Sequence, residues 1–201
     1  MNDKTHIFIT MTAAEKSGIK LSEEEKEILR EMCVKPDYDE REYFYYYHFY
    51  NPTKKYKSSD ITALTKCVSH YENAKSKRDL AELGRAAHFL EDLCTPVHCG
   101  YESKTNYISR LHQHIEFEKM CDELITEINI NDFSEPIQFK SLDILCVNCA
   151  CQSHSYFKEL DKKNADERMI GEKSIILGIK AVTEMIQDFD APPKLNQGAF
   201  Y

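Results

Sequence analysis

The stretch between His88 and Glu118 constrains this chain most. It reads HFLEDLCTPVH, a short polar span, and then HIEFE. His88 and Asp92 stand four residues apart, so on a helix they project from one face, a turn from each other. Pro96 then breaks the helix, and the turn that follows brings His98 back as a further donor. His114 and Glu118 repeat the four-residue spacing on a second helix. Two helices that each offer an imidazole and a carboxylate, with a fifth donor between them, form a metal-binding arrangement. A zinc finger is excluded, because no cysteine pairs with these histidines at the usual intervals. One histidine on an amphipathic helix is ordinarily a core or surface residue; the joint pattern carries the assignment. Imidazole and carboxylate donors suit Zn²⁺, with Mn²⁺ or Fe²⁺ as substitutes.

The surrounding chain reads as helix. Six Gly and six Pro in 201 residues, with long stretches at helical periodicity, predict an all-α, single-domain, multi-helix bundle. It is expected over residues 1–190, with a loosely held tail over 191–201. The first helix spans 4–17, capped by Thr5 and ended by Gly18. LSEEEKEILREMC is the next, with Ser22 as its cap and acidic residues in its first turn. Pro36 opens a loop that carries an aromatic cluster from Tyr38 to Tyr50. Further helices are expected over 60–77, 79–95, 106–128, 137–160 and 166–189, with a break at NDFSEP before the last two.

A net charge of −8 argues against a broad basic surface for duplex DNA. It leaves room for a phosphate site, since bound divalent cations invert the local sign. No apolar run reaches transmembrane length and the first twenty residues are polar and mixed, so no signal peptide is visible. That predicts a cytoplasmic protein, or a secreted one if a signal was removed ahead of this numbering. Eight cysteines permit disulfides, but a helical chain without a leader favours free thiols. Cys146, Cys149 and Cys151 lack an obvious fourth donor and read as buried small residues. His70 and His154 have no partner at metal spacing, and His112 faces another side of the helix that carries His114.

The pattern HxxxDxxxPxH followed by HxxxE resembles the zinc-dependent phospholipase C family and its relatives, the single-strand-specific zinc nucleases. KPDYDE followed by YYHFYNP is similar to the family's Asp-Tyr-Asp stretch and the histidine downstream of it, and THIFIT to its first-helix histidine. The resemblance spans residues 1 to about 125 and implies a helical protein with a cluster of three zinc ions. It implies one zinc on Asp37, His48, His88 and Asp92, and a second on His98, His114 and Glu118. The third would share Asp92 and add His6 with the amine and carbonyl of Met1. There the chain departs from the family, which places a mature N-terminal Trp at that point; this chain has no Trp. The donors concerned are backbone atoms, so Met1 can serve. Asp37 and Asp39 both precede His48 at workable intervals, and the family's order, ligand first, selects Asp37.

The implied activity is phosphodiester hydrolysis of the phospholipase C kind, with a zinc-bridging hydroxide that Asp37 orients or deprotonates as general base. Tyr38 resembles a residue that contacts the substrate headgroup. The substrate is then a phosphoester, a phospholipid headgroup or single-stranded nucleic acid. The Asp-Tyr-Asp stretch, the Thr-Pro-x-His ending and Glu118 favour the lipase branch. The Met1-to-His6 interval and a cytosolic address favour a nuclease or nucleotidase, and a non-catalytic zinc-stabilised binding module is the third reading.

Overall fold

Leu80, Leu83, Ala87 and Leu90 recur at helical spacing, and the helix they define becomes the centre of the molecule. In the computed structural model, residues 2–39, 47–100, 107–130, 137 and 140–191 are described. Met1, residues 40–46 with half of the aromatic cluster, the NDFSEP break and the tail from 192 onward lie outside them. The described elements are α1 (Asp3–Ser17), α2 (Glu23–Met32), α3 (Pro36–Asp39), α4 (Ala63–Lys77), α5 (Leu80–Leu93), α6 (Pro96–Cys99), α7 (Tyr107–Leu124), α8 (Leu142–Leu160) and α9 (Glu167–Asp190). Among the described residues there is no strand, and the all-α expectation holds. No described helix is long and apolar enough to cross a membrane.

Local chemistry sets the helix ends. Ser22 and Glu25 form a reciprocal capping box at α2, the Ser22 hydroxyl accepting from the Glu25 N–H and the Glu25 carboxylate from the Ser22 N–H. Asp79 accepts from the N–H of Ala81 at 2.9 Å and starts α5. Gly18 takes a left-handed φ of 78° and stops α1. Two expectations need correction. Thr5 does not cap α1; Asn2 holds the cap position, and the buried Thr5 hydroxyl instead donates to Asp122 on α7 at 2.6 Å. The segment after Pro36 is not wholly loop, because Pro36–Asp39 makes one helical turn for which a proline is pre-shaped.

Helix α5 packs against α1, α2, α4, α6, α8 and α9. From Ala86 to Leu93 every residue is buried, polar ones included. Burying Leu83, Phe89, Leu90 and Leu93 contributes about 1.5–3 kcal/mol each. The closest approach is at Gly84, where a Cβ would stand 2.8 Å from the Cβ of Met32 and 3.2 Å from the Cys33 nitrogen. Gly84→Ala should therefore push α2 off α5 and cost about 1–3 kcal/mol, despite alanine's better helix propensity. Urea unfolding midpoints of the two proteins check this; an unchanged or raised midpoint contradicts it.

Candidate metal centre

Of the eight side chains expected to ligate, Met1 being outside the described residues, seven lie on helices and His48 lies in a turn. His6 lies on α1, Asp37 on the α3 turn, His88 and Asp92 on α5, His98 on α6, and His114 and Glu118 on α7, while His48 precedes a loop that returns along α6. They form three groups whose donor atoms lie within 4.8 Å of one another: His6, His88 and Asp92; Asp37, His48 and His88; His98, His114 and Glu118. The groups adjoin. His48 Nδ1 is 2.8 Å from Asp92 Oδ2 and 3.7 Å from Asp37 Oδ1, and His98 Nδ1 is 3.5 Å from Asp92 Oδ1. His6 stacks on His88 with ring centroids 4.1 Å apart.

Two tautomers follow from the backbone. A carbonyl oxygen can only accept, so His88 Nδ1–H donates to Cys33 O at 2.9 Å and His98 Nδ1–H to His48 O at 2.7 Å. Each ring is left with an Nε2 lone pair turned inward. For His88 that atom stands 3.6 Å from Asp37 Oδ1, and for His98 it stands 3.3 Å from Glu118 Oε1. His114 Nε2 reaches the same Glu118 oxygen at 2.7 Å. His6 Nε2 is buried and has no hydrogen-bond partner. Neutral imidazoles with inward lone pairs beside carboxylates are a donor set that fits zinc.

Burial governs the charges. It holds His6 well below the ordinary histidine value, pushes His88 down to about 4 and lowers His98. Burial also opposes charge on His48, but the hydrogen bond to Asp92 and the charges of Asp92 and Asp37 raise it. Burial and then the charge of Asp92 push Asp37 up to about 6. Asp92 and Glu118 are held well below the carboxylate range against their burial, Asp92 by His98 and His88, Glu118 first by the charge of the chain's amino terminus and then by its bonds to His114 and His98.

Asp39 is not part of the groups; it pairs with Arg85 at 2.7 Å, while Asp37, two residues earlier, faces His48 and His88. Tyr38 is 55% exposed and its hydroxyl donates to Asp3 at 2.6 Å, at the start of α1. His112 is exposed, His70 pairs with Glu82, and His154 donates to the Cys99 carbonyl. All eight cysteines are free. Cys146 and Cys149 are buried, whereas Cys151 is exposed. Sequence reasoning overlooked Glu91, a fully buried carboxylate between the two α5 donors that meets His6 and Thr10. Its signal was its register: Glu91 continues the apolar stripe through Ala87.

The chain belongs to the zinc-dependent phospholipase C family, whose profile matches residues 5–178. Among solved structures it is similar to the alpha toxin from Clostridium absonum, with TM-score 0.74 and 15% identity over 92% of this chain and 63% of that one. It is likewise similar to Clostridium perfringens alpha-toxin from avian strain SWCP, with TM-score 0.71 and 16% identity over 92% and 62%. At these identities the likeness is one of fold, and the chain spans less than two thirds of either toxin. Comparison with curated proteins gives no match.

The histidine shifts carry a sign. In metal-free protein the folded pKa of His88, about 4, lies below the unfolded value of about 6.5. Between these values the unfolded chain binds the proton, so the stability that His88 contributes is fully present above pH 6.5 and is lost as pH falls through 4. Metal-free wild type should lose more stability from pH 7 to pH 5 than metal-free His88→Gln, by on the order of 2 kcal/mol. Parallel urea titrations with a chelator present test this, and equal losses would contradict it.

Proposed function

We propose that this protein is a zinc-dependent phosphodiester hydrolase of the phospholipase C kind. The observation that carries the reading is the convergence of eight buried or half-buried donors from separate helices into three adjoining groups. Family membership supports zinc as the cation and a phospholipid headgroup as the substrate. Asp37, His48, His88 and Asp92 would hold one ion, and His98, His114 and Glu118 a second. His6 and Asp92 would hold a third together with the Met1 amine. Support for that last site comes from Asn2 and Thr5, whose side chains both donate to Asp122, one turn past Glu118.

When bound, zinc supplies the positive charge that makes water acidic near neutral pH and neutralises a phosphate oxygen. The protein's own part is placement and proton handling. Carbonyl bonds from Cys33 and His48 hold two imidazoles with Nε2 facing inward, so neither ring must reorient to bind. Asp37 is 26% exposed, the most accessible carboxylate of the three groups, so water reaches it. A carboxylate there can orient the attacking water and accept its proton. Tyr38, the exposed residue that follows Asp37 in the chain, would meet a headgroup.

The test pairs elemental analysis of metal per chain with hydrolysis of phosphatidylcholine vesicles and of a single-stranded oligonucleotide. Zinc-bearing wild type should cleave the lipid, and chelator should abolish turnover. Asp92→Ala should lose both metal and activity. Asp37→Asn should keep much of its zinc and lose rate by roughly 100- to 10,000-fold. Cleavage of the oligonucleotide alone would move the protein to the nuclease branch; full activity in chelator would end the reading.

A further inference from the structure

The apolar stripe of α5 is interrupted once where it meets α1. Leu83, Ala87 and Leu90 are buried as the periodicity requires, and so is Glu91, which is 0% exposed. A carboxylate in such a place is costly unless its oxygens are satisfied, and an apolar side chain of similar volume packs as well or better. Satisfaction comes from one helix. Thr10 Oγ1 donates to Glu91 Oε1 at 2.6 Å, and His6 Nδ1 meets Glu91 Oε2. His6 and Thr10 stand four residues apart on α1 and are themselves fully buried. Glu91 thus clamps the helix that carries His6 to the helix that carries His88 and Asp92.

Burial alone pushes Glu91 toward its neutral form, whereas a cation at the adjoining site favours the ionised carboxylate, whose oxygens can only accept; the proton on the His6 ring then belongs at Nδ1. Nε2 is then a bare lone pair. It is the ring atom without a hydrogen-bond partner, and it faces Asp92 Oδ1 across 3.9 Å. Two electron-pair donors facing each other at that separation leave room for a cation between them. His88 stacked on the ring limits its tilt, and Glu91 sets its rotation.

We propose that Glu91, supported by Thr10, is a positioning residue that fixes the tautomer and orientation of His6 so that Nε2 faces the metal cluster. This rests on the zinc-binding reading above. Glu91 itself touches neither substrate nor metal; it acts through His6, as carboxylates behind metal-binding histidines do. The other side of the clamp has the same logic as the carbonyl bonds to His88 and His98, with a side chain in place of the backbone.

The experiment measures zinc affinity of the full chain in zinc–chelator buffers, for wild type, Glu91→Ala, Glu91→Gln, His6→Ala and the double variant His6→Ala/Glu91→Ala. Glu91→Ala should weaken one zinc by roughly 10- to 100-fold. Glu91→Gln keeps an acceptor for Nδ1–H and should retain most of the affinity. The double variant should be no worse than His6→Ala. In a second measurement, ¹⁵N histidine spectra of the zinc-loaded wild type should place the His6 proton at Nδ1, which decides the matter even if Glu91→Ala does not fold. Wild-type affinity in Glu91→Ala, equal losses in Ala and Gln, or a proton at Nε2 would overturn this inference alone. A wild-type chain that binds no zinc would overturn the function and this inference together.

Discussion

Everything at this centre depends on burying helix α5 on all sides. Its second half has no face toward water, so the imidazole of His88 and the carboxylates of Glu91 and Asp92 face other helices. Groups of this kind are stable in a core only when they answer one another. Here α1 answers with His6 and Thr10, the end of α2 with the Cys33 carbonyl, α6 with His98, and the loop before α4 with His48. The apolar contacts of Leu83, Phe89, Leu90 and Leu93 hold these partners at the required spacing.

The electrostatic outcome suits a cation. Burial keeps His6, His88 and His98 neutral, and a neutral imidazole is the form that ligates. Asp92 and Glu118 are lowered against their burial, with hydrogen bonds from His48 to Asp92 and from His114 to Glu118 contributing. Asp37 differs: partly exposed and raised to about 6, it is suited to exchanging a proton with water that enters the site.

The likeness to the two clostridial toxins is one of helical fold, and the profile adds zinc and phospholipase C chemistry at the level of the family. Two contacts within this chain bear on the site. Arg85 occupies Asp39 and so separates it from Asp37, and the Thr5–Asp122 bond ties the start of α1 to the helix that carries Glu118.

Much of this was legible in the amino-acid order. Helical periodicity, low Gly and Pro content, the cap at Ser22 and the stop at Gly18 define the helices, because these are local effects that act within a few residues. The two i,i+4 pairs and the Pro96 turn identify most of the donors for the same reason. The sequence could not show that Thr5 bonds Asp122 instead of capping its own helix, since the partner is on a distant element. Nor could it separate Asp37 from Asp39 except by family likeness; the Arg85 pairing that distinguishes them spans two helices. The register of Glu91 on the apolar stripe marks it as inward-facing, but the sequence could not name its partners, because His6 and Thr10 lie on α1. Spacing along the chain determines which side chains share a face, and only packing between helices decides which faces meet.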